Sequence, residues 1–264
     1  METNAFHREF HHACVVGDMP KIHEAIATGR LTVEDLNTGL ENATLMLHAD
    51  AVATLFDAGA RVTERATNRL HGKDFHQDPR IVRLFLDNGL DPNARTSSGE
   101  TLLRTIVNPS AAAVLLSAGA DPNLPGPRGI PPLGGVILST QEPDTTSILE
   151  LYLEHGAKLE SNLLFYSLAP RVQQRELKTR FLLDKGVDPN ATSDEWGTPL
   201  HLAARLGNVE IVKMLLEAGA DPTVLSVGKK IGTKTKKTPA QVAEYARDPQ
   251  AREAILSLFR GYSR

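Results

Sequence analysis

One short segment recurs along this chain at nearly constant spacing, and nothing else in the sequence limits the possible folds so strongly. Residues 84–93 read LFLDNGLDPN, 114–123 VLLSAGADPN, 151–160 LYLEHGAKLE, 181–190 FLLDKGVDPN and 214–223 MLLEAGADPT. Weaker copies are LFDAGARV at 55–62 and AIATGRLT at 25–32. The shared glycines, Gly29, Gly59, Gly89, Gly119, Gly156, Gly186 and Gly219, follow one another at 30, 30, 30, 37, 30 and 33 residues. Periods of roughly 20–50 residues mark repeat architectures, in which each unit buries a core only against its neighbours.

Each copy has a local physical meaning. The pair Leu215–Leu216 closes a helix and faces a core. Gly219 can then adopt the left-handed conformation that ends helices without steric cost. Asp221-Pro222 forces an extended or turn conformation, because proline lacks an N–H and restricts the residue before it. The other half of the unit is clearest at 197–212, GTPLHLAARLGNVEIV. Thr198 suits an N-cap and Pro199 the first helical position, where no N–H is needed. Leu200, Ala203 and Ala204 form an apolar stripe at helical spacing. Gly207-Asn208 breaks the chain before a second helix, about Val209 to Glu217.

On these residues the chain resembles the ankyrin family. The run GTPLHLAARLGNVEIVKMLLEAGADP carries that family's Thr-Pro-Leu-His box, its Gly-Asn break and its Leu-Leu-x-x-Gly-Ala-Asp ending at matching offsets. The resemblance implies an all-α fold, an ankyrin-repeat solenoid of stacked helix-turn-helix units with projecting loops. It implies one domain over 1–264, with units at about 6–30, 31–62, 63–93, 94–123, 124–160, 161–190, 191–223 and 224–264. The second, third and sixth units are degenerate. The second and third lack the Thr-Pro box, and the fifth carries an insertion around Gln141–Thr145. The last unit opens at Thr238-Pro239-Ala240 and closes with AILSLF at 254–259, polar enough outside to cap the stack.

Composition narrows the class. Apolar residues make up 41 % and aromatic residues only 5 %, which suits closely packed helices. The net charge of −3 offers no global attraction for nucleic acid. The single cysteine, Cys14, cannot form an internal disulfide, which points to a reducing compartment. Met1–Ala5 lead into charged sequence without a secretory pattern, and the nearly apolar Ala111–Ala120 falls short of the ~20 residues that cross a bilayer. These features predict a monomeric, intracellular protein, cytoplasmic or nuclear, with no membrane contact, no cofactor and no bound metal.

In the family, the loops project like fingers beside the first helices, so partner-binding residues are expected where the copies differ. The fourth finger offers Arg95, with Arg104 on the helix behind it. The fifth, Leu124-Pro125-Gly126-Pro127-Arg128, is stiffened by two prolines and is expected to present Leu124 and Arg128. The seventh carries the only tryptophan, Trp196. Tryptophan and arginine are the types most enriched in interface hot spots. The last finger places 14 residues between Thr223 and Thr238, against seven between Asn190 and Thr198, and holds Lys229, Lys230, Lys234, Lys236 and Lys237. Such a loop suits an acidic partner, a nucleic-acid backbone or a nuclear import signal.

Catalytic readings find little purchase. The run GKKIGTKT at 228–235 separates Gly228 from Gly232 by three residues, where a phosphate loop needs four, and no buried strand precedes it. His7 and His11 share a helix face, but no third ligand sits at matching spacing. His71, Lys73, Asp74 and His76 cluster in a degenerate unit without a recognisable nucleophile. The expected function is a non-enzymatic module that binds another protein through its finger and first-helix face. A transcriptional co-regulator that binds a transcription factor, and an enzyme or small-ligand binder built on the degenerate N-terminal units, are the alternatives.

Overall fold

The computed structural model describes residues 2–72, 76–140, 145–226, 229 and 235–262, with side chains from residue 5 onward. Among the described residues the secondary structure is helical, in eight consecutive pairs. These are α1 (Glu2–Val16) and α2 (Met19–Ala27), α3 (Val33–Leu45) and α4 (Ala49–Asp57), α5 (Glu64–Asn68) and α6 (Pro79–Asp87), and α7 (Leu102–Thr105) and α8 (Pro109–Ser117). The series continues with α9 (Pro132–Ser139) and α10 (Thr146–Glu154), α11 (Leu163–Ser167) and α12 (Arg175–Asp184), α13 (Pro199–Leu206) and α14 (Val209–Glu217), and α15 (Pro239–Ala243) and α16 (Pro249–Tyr262). No helix among the described residues is long and apolar enough to cross a membrane. The all-α repeat fold expected from the glycine register is the fold the chain adopts.

The chain forms two compact units, Met1–Val136 with Ser147–Ala157, and Ile137–Thr146 with Lys158–Arg264. In the first unit, first helices stack on first helices, α1 on α3 and α3 on α5, while α2, α4, α6 and α8 stack in their own row. Leu40, Leu55, Phe85 and Leu115 are fully buried between the rows, and Phe56 meets Phe85 edge to face at 5.2 Å. In the second unit α11, α13 and α15 form one row and α12, α14 and α16 the other, around buried Leu164, Leu182, Leu200, Leu215, Val242 and Ile255. Burying each such leucine or isoleucine contributes about 1.5–3 kcal/mol. Helices of five to nine residues could not persist without that packing.

The best copy follows the local rules closely. Thr198 caps α13 by accepting the N–H of His201, and Pro199 occupies the first helical position. Gly207 ends α13 at φ 75°, and Asn208 caps α14 through the N–H of Ile211. The degenerate units keep part of this. Thr32 and Thr63 still cap α3 and α5 through Asp35 and Ala66 N–H groups, although no proline follows either. At the break between α3 and α4, Leu47 takes the left-handed conformation, φ 63°, where the best copy has glycine. For a leucine that conformation costs about 1 kcal/mol. Thr101 departs the other way: it stands at the N-cap of α7 but makes no side-chain cap.

A second device joins the units of the stack. In each Asp-Pro-Asn segment the aspartate closes a turn and the asparagine reaches the next repeat. Asp91 Oδ1 accepts the Asn93 N–H at 2.8 Å, and Asn93 donates to the Gly119 carbonyl at 3.2 Å. Asn123 repeats this on Gly156 at 2.9 Å and Asn190 on Gly219 at 3.0 Å.

Candidate functional site: fingers and first helices

The fingers are short turns whose backbones pair with themselves. The fourth closes by the Arg95↔Thr101 bridge, the seventh by Ser193↔Gly197 and the last by Ser226↔Lys237. Self-pairing fixes the stems and leaves the tip side chains to solvent. The sequence-expected residues divide accordingly.

Arg95 is an internal brace. Its Nη1 donates to the Gly99 carbonyl of its own finger at 2.8 Å and to Pro125 of the next finger at 3.1 Å. Arg104 lies back on α7, where its Nε faces Glu100 Oε2 at 3.3 Å with both side chains largely covered. The following unit is shaped around this pair. A side chain at Gly126 would collide with the Glu100 carboxylate, and one at Gly135 with the Arg104 stem. Leu124, expected at the surface, is half-buried, whereas Arg128 is exposed at the tip.

In the second unit Trp196 is half-buried within the seventh finger. That finger is tied to the last one, because Lys229 donates its N–H to the Asp194 carbonyl at 3.3 Å. The Lys229 and Lys236 side chains are exposed. Lys230 and Lys234 lie outside the described residues. Lys237 is not a free tip. Its carbonyl accepts from His201 Nε2 at 2.9 Å, and its ammonium stands 5.4 Å from the centre of the Tyr245 ring.

His201 is fully buried, and its two nitrogens have fixed tasks. Nε2–H donates to Lys237, so Nδ1 is the unprotonated nitrogen that receives the Thr198 N–H at 3.2 Å and hydroxyl at 2.8 Å. Burial opposes a positive charge there and holds the imidazole below its ordinary pKa, against the pull of the backbone carbonyls. The box histidine thus sews the first helix to the next finger as a neutral ring.

Several residues that matter were not singled out from sequence. Tyr245 is 44 % exposed, and Arg205 packs beside it, its carbon centre 6.0 Å from the ring and its Nη1 donating to the Tyr245 carbonyl at 2.6 Å. Leu225, on the last finger, is 57 % exposed. Lys178 is fully buried in α12 and donates to the Ile137 and Thr140 carbonyls, at 2.8 and 3.0 Å, where α9 ends. Burial pushes its ammonium down to about 8.

The histidines considered as ligands have other partners. His7 donates to Asp35 at 2.7 Å, and His11 stands 3.9 Å from the same carboxylate. Among the described residues no three His, Cys, Asp or Glu side chains are grouped to hold a metal ion. His71 engages the carbonyl of Gly72 at 2.7 Å. Lys73 and Asp74 lie outside the described residues. A groove on the second-helix side of the first unit is lined by Ala53, Arg83, Leu84 and Val114, and does not include His71 or His76.

A family model described as ankyrin repeats, many copies, matches residues 171–216. The chain is 31 % identical over 157 residues to a putative ankyrin repeat protein of fowlpox virus, covering 56 % of this chain and 81 % of that protein. It is 50 % identical over 58 residues to the 2-5A-dependent ribonuclease of Mus musculus, covering 21 % of this chain and only 8 % of the ribonuclease. The fold is similar to the human ASB11 ankyrin repeat domain, with a TM-score of 0.55 and 20 % identity over 94 % of this chain and 96 % of that one.

Proposed function

Because this chain belongs to the ankyrin-repeat family, whose fold generally serves protein–protein interaction, we propose that it binds a partner protein through its fingers and first helices. One observation carries the reading. The residues shared between copies, such as Asn93, Asn123, Asn190 and Thr198, have their polar groups engaged inside the stack. Residues that differ between copies, Arg128, Leu225 and Lys236, stand exposed on the fingers. A rigid frame with variable tips is how loops carry recognition without disturbing the fold. Trp196, half-buried at its finger, adds the aromatic surface that anchors interfaces.

The test is affinity purification at physiological salt with two baits, the unaltered chain and a double variant, Arg128→Ala with Trp196→Ala. Matching thermal melts must first show that both are folded. The expected result is a protein retained by the first bait and lost from the second. A partner retained equally by both would move the contact away from these tips, and no protein above background on the unaltered chain would overturn the reading.

A further inference from the structure

We propose that the end of the second unit, where Arg205 and Lys237 flank the exposed ring of Tyr245, is the docking point for an acidic segment of a partner protein. This rests on the protein-binding reading and gives its partner a chemistry. Arg205 lies in the last turn of α13, and Tyr245 follows α15, the next first helix in the stack. The two side chains are therefore neighbours on one surface, with the guanidinium carbon 6.0 Å from the ring centre. Lys237 approaches the same ring to 5.4 Å from the stem of the last finger.

The charges are what make this a site. Two cations share one aromatic ring, and among the described residues no carboxylate pairs with either. Arg205 Nε is buried without an acceptor. Glu244 and Asp248, on the same end of the unit, are exposed and make no ion pair with Arg205 or Lys237. Cation–ring contacts orient the two charges without neutralising them. A carboxylate from outside would relieve their repulsion and pair with both charges in one contact. Lys236, the exposed chain neighbour of Lys237, adds a further positive charge.

The apolar part of the patch argues for a peptide rather than a polyanion alone. Leu225 is 57 % exposed beside the Ser226↔Lys237 bridge, and Leu206 is 40 % exposed next to Arg205. Ring, leucines and cations together fit a chain in which acidic and apolar side chains alternate.

The probe is a fluorescein-labelled peptide alternating Glu and Leu, read by anisotropy on the full chain. Controls are the Gln–Leu peptide and a labelled single-stranded RNA. We expect the Glu peptide to bind in a salt-sensitive way and the Gln peptide to bind about tenfold more weakly, the loss of one charge-assisted contact. Lys237→Met and Tyr245→Ala, each with an unaltered melt, should weaken the Glu peptide by a similar factor. Lys237→Met keeps the backbone carbonyl that holds His201, so it separates charge from folding. Equal binding of Glu and Gln peptides, tighter binding of the RNA, or no binding of the Glu peptide would each overturn the proposal. A partner captured by the unaltered chain and retained by Lys237→Met would sink this docking point while leaving the protein-binding reading intact.

Discussion

Asn190 grips the neck of the following repeat with both ends of its amide: Oδ1 accepts the N–H of Asp221 at 2.8 Å, and Nδ2 donates to the carbonyl of Gly219 at 3.0 Å. Gly219 sits at φ 90°, just past the end of α14, where helix carbonyls lack partners within the helix. The side chain of one unit thus completes the helix end of the next. Asn93 does the same in the first unit, accepting from Asp121 at 2.8 Å and donating to Gly119.

Replacing Asn190 by Ala should therefore cost about 1–2 kcal/mol, two partly solvated hydrogen bonds at the usual net value. Asn190→Asp is informative beside it. It keeps the acceptor for Asp221 but sets a carboxylate against the Gly219 carbonyl, so it should not restore stability. Urea denaturation of the three proteins checks the order, with the unaltered chain highest.

Leu215 tests the assignment of inner and outer faces. It is fully buried in α14, and Leu215→Ala should cost about 2–5 kcal/mol, with the spread set by how far the site can collapse. Lys236→Ser, at an exposed position on the last finger, should leave the midpoint unchanged. A melt insensitive to Leu215→Ala would mean that α14 buries a different face.

His201 makes the stack acid-sensitive. Its pKa is lowered in the fold, so below about 6.5 the unfolded chain binds a proton that the native ring refuses. The stability this ring supports is complete above that value and is lost as pH falls through it toward the lower native pKa. Protonation at Nδ1 would turn the acceptor of the Thr198 N–H into a donor facing a donor. His201→Gln should flatten the stability profile between pH 7 and about 5 relative to the unaltered chain. Parallel profiles for the two proteins would assign the acid response to other groups.

What could be read from sequence was what local rules dictate. Gly219, Gly207, Thr198 and Pro199 announce themselves because helix ends and caps permit few residue types, and their spacing then fixes the repeat. Asn190 was visible as part of a recurrent Asp-Pro-Asn, but its grip on Gly219 spans 29 residues and depends on stacking. Arg104 reads in sequence as a partner-binding candidate, since nothing local shows that Gly126 and Gly135 of the next unit make room for it and Glu100. Tyr245 was invisible as a site because its partner Arg205 lies 40 residues away, a distance stretched by the long last finger.

Lys178 is the extreme case, a residue whose surroundings come from 38 and 41 residues upstream. Its ammonium caps the end of α9, where carbonyls and the helix dipole favour a cation. Burial nevertheless holds its pKa near 8, against 10.5 for the free side chain. Between those values the unfolded chain keeps a proton that the native chain has released, so stability rises with pH across the window. Below about 8 the cost of the buried charge is present in full. The neutral amine that remains at higher pH can still donate to Ile137 and Thr140. Lys178→Met removes both the charge and the donors, and its stability should be flat where that of the unaltered chain climbs. Denaturation midpoints at pH 8 and pH 10 should therefore diverge in favour of lysine. A constant difference between the two proteins would show that Lys178 keeps its proton throughout, and that the carbonyls at the end of α9 outweigh its burial.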